Sequence, residues 1–344
     1  MPSTDPLISI VVLNWDGLAY LPACLAALGQ QTERDFELLL VENGSHDGSA
    51  AYLAQAGLFA RLGFAAEQVR VLHTPTNLGF AGGNNLAFAS ARGTWIATLN
   101  NDTVADPKWL AALLAATVGQ PAAVGMIAGA LLFYRRPQLL ASAGLALYQD
   151  GLALDRLAGQ PYQAGGLPYE VFGPSAGAAL YSRKLLQDVG YFAPNYFAYL
   201  EDVDLAWRAR LRGWRCLYAP GAAVLHHYSA TGKQGSPFKS YQLARNRLWT
   251  IARDFPSSLL RRHLPSILAY DALALAYGLA KGDSALVRGR LAALHSLPAV
   301  LKQRARIQSG RVAGIEGQLA GWLRPPLGVS GNLRQRQLAD ELAV

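Results

Sequence analysis

Apolar strand-like runs alternate with helical segments through the first hundred residues of this 344-residue chain, and that alternation limits the fold more than any other feature. "LISIVVLN" (7–14) is a continuous β-branched run, the mark of a strand covered on both faces. "LAYLPACLAALGQQ" (18–31) follows with Leu21, Leu25 and Leu28 on one helical face. "FELLLVE" (36–42) reads as a second strand, ended by the turn "NGSHDGS". A further helix, the strand "VRVLHT" (69–74), a glycine-rich helix entry (79–93) and the strand "TWIATLN" (94–100) complete the series. Short links between such elements predict a doubly wound α/β sheet. Ligands of these sheets lie outside the carboxyl ends of the strands, where Asn14, Glu42, the segment after Thr74, and Asp102 fall.

The middle of the chain, roughly 125–231, is less regular. It holds the apolar runs "GMIAGALLFY", "AGAALYS" and "AAVLHHYS". After Pro237 the pattern turns helical and basic. From Lys239 onward there are 16 Lys/Arg against 6 Asp/Glu, so the formal charge of +8 resides in the C-terminal third. Apolar runs beside those charges favour an anionic membrane surface over nucleic acid as the partner. Residues 264–280 are apolar on nearly every side, with Asp271 inside, but too short and interrupted for a span, so an interfacial or core helix is expected. From Ile315 the tail reads as loose. The first residues carry no basic stretch and read as a strand rather than a signal peptide. Two cysteines, Cys24 and Cys216, fit a reducing compartment and exclude a disulfide framework.

No G-x-x-x-x-G-K-[ST] occurs, and the glycines at 79, 82 and 83 do not form G-x-G-x-x-G, so neither a P-loop nor a standard dinucleotide site is indicated. Asp102, just past a strand in "LNNDTVADP", suits a hard divalent cation that takes one or two carboxylates plus substrate phosphates. Asp106 is the better helix cap, because Pro107 would then open the helix. Glu42 and Asn43 end a strand and could read a base edge or ribose, though a turn alone accounts for them. "TNLGFAGGNN" puts glycines and amides at a helix start, suited to a diphosphate or simply to a loop that needs positive φ.

"YFAYLEDVDLAWRARLRGW" (196–214) concentrates Glu201, Asp202 and Asp204 at the start of a helix, where acids complement the macrodipole. Asp204 pairs naturally with Arg208 one turn on. The aromatics before them, Tyr191, Phe192, Tyr196, Phe197 and Tyr199, would raise a carboxylate toward the range of a general base. His226 and His227 end an apolar run, as metal ligands or packed residues.

In order, "SIVVLNWDG", "VENGSHDGS", "NLGFAGGNN", "LNNDT", "YLEDVDLAWRARLRGW" and "AVLHHYSATG" resemble the inverting family 2 glycosyltransferases of the GT-A fold, most of all bacterial rhamnosyltransferase-like members. The resemblance spans about the first 230 residues. It implies a Rossmann-like, mostly parallel sheet flanked by helices, with a C-terminal helical extension. Residues 1–235 would form the catalytic domain, 1–120 its nucleotide-sugar half and 121–235 its acceptor half, with 236–344 a basic, membrane-associating region.

The resemblance places Asn14, Glu42, Asn43, Asn77, Gly79, Gly83, Asn84 and Asn101 around the nucleotide sugar. It makes Asp102 the carboxylate of the D-x-D-type motif, here Asn100-Asn101-Asp102, and His226, or else His227, a second ligand for Mg²⁺ or Mn²⁺. Asp202 would be the general base, with Glu201 the runner-up. Gln242 and Arg245 keep the Q-x-x-R spacing of processive members while Asn246 replaces their tryptophan, so Arg245 is carried over as a diphosphate contact. The implied reaction moves a sugar, rhamnose by family weighting, from a nucleotide sugar to a cell-surface glycan or polyprenyl-linked acceptor. The implied place is the cytoplasmic side of the bacterial plasma membrane, with no nucleic acid involved. A non-catalytic nucleotide-sugar-binding protein of the same fold is the competing expectation. A nucleotidyltransferase is disfavoured, because no basic glycine-rich loop follows the first strand.

Overall fold

A computed structural model describes residues 5–228 and 236–343. Its first half follows the alternation: β1 (Ile8–Asn14), α1 (Leu21–Gly29), β2 (Phe36–Glu42), α2 (Ser49–Leu53), α3 (Leu58–Arg61), β3 (Val69–His73), α4 (Gly79–Ser90) and β4 (Trp95–Asn100). The strands lie parallel in the order β4-β1-β2-β3. Register brings their carboxyl ends level: Asn14 lies beside Glu42, Glu42 beside His73, and Leu13 beside Asn100. Alternate residues of each strand feed both faces. Ile10, Leu38, Leu40 and Ala97 enter one core layer, and Val11, Leu39, Val41 and Ile96 the other.

The second half runs β5 (Thr103–Ala105), α5 (Trp109–Ala115), β6 (Val124–Phe133), β7 (Arg136–Ser142), β8 (Leu145–Tyr148), β9 (Ala153–Asp155), β10 (Tyr169–Val171), β11 (Ala178–Ser182), α6 (Arg183–Val189), α7 (Glu201–Leu211) and β12 (Arg215–His226). Here the sheet is mixed. β11 enters antiparallel between β4 and β6, and β12 runs parallel to β6 but antiparallel to β5 and β10. Antiparallel neighbours need no crossover helix, which is why the middle of the chain lacks the strand–helix rhythm. Asp106 caps a turn rather than the helix itself. Its carboxylate accepts from the Lys108 N–H, and α5 starts one residue later.

The chain closes with α8 (Pro237–Asp254), α9 (Ser257–Ala280), α10 (Ser284–His295), α11 (Leu297–Ser309), α12 (Ile315–Ala320), β13 (Leu323–Arg324) and α13 (Gly328–Ala343). The tail is therefore ordered, contrary to the sequence reading. β13 pairs with β8 beside β9 in a small second sheet, and Ile315 and Leu319 are buried. The residues that these two pack against are distant in sequence, so no local period revealed them. Val203, Trp207 and Leu211 of α7 share a core cluster with Ile251, Phe255, Leu259, Ile315 and Leu319. Packing is thus continuous across the expected boundary at 235/236.

Candidate active site

A cavity of about 780 Å³ opens at the carboxyl ends of β1, β2 and β4 and extends between α7 and the C-terminal helices. Its strand-end wall is a lattice of amides. Asn101 donates to Asn14 Oδ1 (2.8 Å), and Asn14 donates to Glu42 Oε2 (2.8 Å). The Ser45 N–H donates to Glu42 Oε1 (2.8 Å). Asn43 donates to Asn77 Oδ1 (2.9 Å) and accepts from the Leu78 N–H, while Asn77 accepts from the Gly79 N–H (2.7 Å). Asn43, Asn77, Gly79 and Asn101 line the cavity. Asn14 and Glu42 sit behind them, buried, each side chain already occupied. Gly79 has φ +72, and a Cβ there would lie 2.5 Å from the Phe197 carbonyl oxygen. Gly83 and Asn84 face inward. A Cβ at Gly83 would strike Leu13, and Asn84 donates to the Phe80 carbonyl within α4.

β4 and β12 bring Asp102 and His226 together, Nε2 to Oδ1 at 3.2 Å, with the Asn100 amide 3.4 Å from the same ring nitrogen. Burial pushes the Asp102 carboxyl up, but attraction and a hydrogen bond from His226 outweigh it and hold the group below its ordinary range. For His226, burial acts downward and Asp102 prevails, so its pKa is raised. One carboxylate and one imidazole at the cavity wall fit a divalent cation whose remaining ligands are substrate phosphates and water. Among the described residues no group of three His, Cys, Asp or Glu forms a self-sufficient cage. His227 turns away from the cavity. Its ring stacks on Tyr134 at 3.8 Å between centroids and leans on Tyr20. The end of the "AVLHHYSATG" motif, from Ser229, lies outside the described residues.

The other wall is the start of α7. Asp202 lines the cavity, accepting from the Ala176 N–H (3.1 Å) and the Val203 N–H (2.8 Å). Burial pushes its carboxyl up to about 6; those two N–H groups oppose the shift and nearby Asp155 adds to it. Glu201 is buried, with Oε2 lacking a hydrogen-bond partner; burial first, then Asp202, drive its pKa far upward. Asp204 is fully buried in ion pairs with Arg208 (2.8 Å) and Arg253 (2.7 Å), the structural role expected of it. The aromatic run divides. Phe197 and Tyr199 line the cavity, whereas Phe192 and Tyr196 are core residues and Tyr191 packs against Phe88.

Arg245 does not line the cavity. Its guanidinium bonds the Asn195 and Tyr196 carbonyls and lies over Trp249. The cations that do line it are Lys239, Arg247, Arg290 and Arg336. Arg247 and Arg290 converge on Asp271, which accounts for the lone acid in the apolar stretch 264–280. Asp155 of β9 is a cavity carboxylate that no sequence pattern singled out. It accepts from the Tyr228 hydroxyl (3.3 Å) and is pushed upward by burial. Its only local cue is a polar residue following "LAL".

The model of glycosyl transferase family 2 matches residues 9–190, which include Asn14 through Asp102 but stop short of Glu201, Asp202 and His226. An uncharacterized protein y4gI of Sinorhizobium fredii is 28% identical over 250 residues, covering 70% of this chain, which spans only 26% of that protein's length. The N-acetylglucosaminyl-diphospho-decaprenol L-rhamnosyltransferase of Mycobacterium tuberculosis is 28% identical over 268 residues, covering 67% of this chain and 79% of that relative. Among solved structures, S. aureus TarS 1-349 aligns with a TM-score of 0.55 at 16% identity, over 97% of this chain and 90% of that one. GalNAc-T7 with UDP, GalNAc and Mn²⁺ aligns with a TM-score of 0.55 at 16% identity, over 76% of this chain and 55% of that one. At such identities the likeness shows fold alone. The fold is GT-A, as the sequence motifs implied, with a run of helices at the C-terminus beyond those that flank the sheet.

Proposed function

This chain belongs to glycosyl transferase family 2, and on that premise we propose that it is an inverting enzyme. It transfers a sugar from a nucleotide sugar to a hydroxyl of a polyprenyl-diphosphate-linked glycan. Rhamnose and the lipid-linked acceptor are taken from the name of the mycobacterial relative. The observation that carries the reading is the sharing of one cavity by Asp102, His226 and Asp202. A competent site needs a place for the leaving diphosphate and a base for the acceptor, and these residues supply both.

Asn43, Asn77, Gly79 and Asn101 present the donor-facing surface, with Asn14 and Glu42 fixing it from behind. Asp102 and His226 would hold a divalent cation, which supplies Lewis-acid neutralisation of the leaving diphosphate. Asp202 takes the proton of the acceptor hydroxyl. That oxygen bonds to the anomeric carbon as the bond to the diphosphate oxygen breaks on the opposite face. The electron pair leaves with the nucleoside diphosphate, and the single displacement inverts the centre. Ionised at neutral pH yet basic, a carboxylate with its pKa near 6 suits this proton transfer. Phe197 and Tyr199 line the cavity on the side where the acceptor sugar would lie.

Association with an anionic membrane surface is part of the proposal. Every exposed residue of α9 from Leu264 to Ala280 is apolar, with Arg261 and Arg262 before the stretch and Lys281 after it. Leu291 and Leu294 of α10 add to this exposed apolar surface. No helix among the described residues is long and apolar enough to cross a membrane, so this face would lie in the interface.

The test is a panel of sugar nucleotides, including dTDP-rhamnose, scored for acceptor-dependent nucleotide release with and without EDTA. One donor should turn over in a metal-dependent way. Binding of a sugar nucleotide with no turnover for any donor and lipid-linked acceptor would favour the non-catalytic reading.

A further inference from the structure

The backbone leading into α7 is held in an unusual shape. Of the six non-glycine residues with positive φ among the described residues, three fall within four positions: Phe197 (φ 64), Tyr199 (φ 70) and Leu200 (φ 67). Such conformations are strained and persist only where the surroundings enforce them. The arch ends at Leu200, whose carbonyl accepts the first α-helical bond, from the Asp204 N–H (3.0 Å). Glu201 and Asp202 therefore take their direction from it.

Three groups enforce the arch, all remote in sequence. The Ala81 N–H of α4 donates to the Phe197 carbonyl (3.0 Å). Arg245 of α8 donates to the carbonyls of Asn195 (3.1 Å) and Tyr196 (2.9 Å). The central group is Asn246. Its side chain is fully buried, and Nδ2 is within 3.0 Å of the Tyr196 carbonyl, 2.9 Å of Ala198 and 2.7 Å of Tyr199. Its Oδ1 accepts from Arg245 Nε (2.9 Å), which fixes the amide's orientation. Asn246 stands where processive relatives carry a tryptophan. An indole offers one N–H from a large ring, whereas a primary amide brings two to a point where carbonyls converge.

We propose that Asn246 is a positioning residue for transfer: by gathering the carbonyls of Tyr196, Ala198 and Tyr199, it fixes the arch that aims Asp202 into the cavity. This rests on the reading of Asp202 as the base. Asn246 touches no substrate and acts only through the geometry of the α7 entry.

The test compares full-length wild type with Asn246→Ala and Asn246→Ser, using the donor that turns over. Asn246→Ala should lower the transfer rate about 100-fold while donor affinity by calorimetry stays within about threefold, since misplacement of a reacting group costs rate rather than binding. The acid limb of its pH–rate profile should move from the wild-type position, because the environment of the base has changed. Asn246→Ser, which keeps one donor, should fall between.

Folded variants that transfer within about threefold of wild type, or whose loss lies wholly in donor affinity, would overturn the proposal. Should neither variant fold, half-buried Arg245→Met removes the flanking carbonyl contacts. It should cost about tenfold in rate at unchanged donor affinity, and an unchanged rate overturns the proposal there too. Asp202→Asn runs in parallel. Full activity in Asp202→Asn removes the base assignment, whereas an inactive Asp202→Asn beside a normal Asn246→Ala removes only the role of Asn246.

Discussion

The two working walls of the cavity use the same side-chain chemistry in different ways. On the strand-end wall, amides and a carboxylate satisfy one another: Asn101, Asn14, Glu42 and Ser45 form a chain, and Asn43 with Asn77 forms a second. At the α7 wall, Glu201 keeps a buried oxygen without a hydrogen-bond partner, and three strained residues precede it. A surface that recognises a donor gains from groups fixed before it arrives, because their ordering is not charged to binding. A base gains from an environment that keeps its charge uncomfortable, because its affinity for a proton rises.

Substitutions can break this contrast, and they should not act alike. Asp202→Asn should have the largest effect, a loss of about 10³-fold or more in transfer with sugar-nucleotide binding intact. Transfer that survives this change would move the base elsewhere, first to Glu201. Next, Asp102→Asn should cost about 100-fold, and EDTA should mimic it in the wild type but add little to the variant. Full wild-type activity in EDTA would sink the metal assignment.

The pH profile sharpens the same contrast. Asp202 must be ionised to accept a proton, and its folded pKa is raised to about 6, so activity is present above that pH and lost below it. The rate per unit of free enzyme and donor should fall about tenfold for each pH unit below about 6. An acid limb that persists unchanged in Asp202→Asn would point to Glu201, whose carboxyl burial and then Asp202 drive upward.

Glu42→Gln tests the recognition wall. It keeps the shape but weakens the acceptor for Asn14 and Ser45, so donor affinity should drop several-fold and stability by about 1–2 kcal/mol, with the chemical step preserved. A loss of rate at full donor affinity would mean the two walls are not separable. The smallest catalytic effect belongs to Leu268→Glu with Leu279→Glu on α9. Turnover of a soluble acceptor analogue should be unchanged, while sedimentation with phosphatidylglycerol vesicles should fall. Unchanged sedimentation would count against that face as the membrane contact.

Much of the strand-end wall was legible in the sequence. β-Branched runs mark buried strands, and polar residues directly after them fall at the sheet's ligand-binding edge. That is how Asn43, Asn77, Asn101 and Asp102 could be found. The motif comparison did not separate lining residues from supporting ones, and Glu42, Asn14, Gly83 and Asn84 prove to stand behind the surface. The α7 wall was half legible. Asp204 announced its structural role by its spacing to Arg208, but the five aromatics looked alike, and only Phe197 and Tyr199 reach the cavity. Asp155, from the small sheet completed by β13, gave almost no signal.

The sequence by itself determined the local elements of the first half, the strand-end placement of its polar residues and the family that those motifs mark. These depend on periodicity and turn chemistry over a few residues. Only the tertiary structure decided that Asn246 meets carbonyls 47 to 50 positions earlier, that Arg245 turns to the arch and not to the cavity, and that Asp271 is consumed by two arginines. Hydrogen-bond and ion-pair partners are chosen by what packing brings within about 3 Å. Between residues so far apart in the chain, no spacing rule encodes that choice.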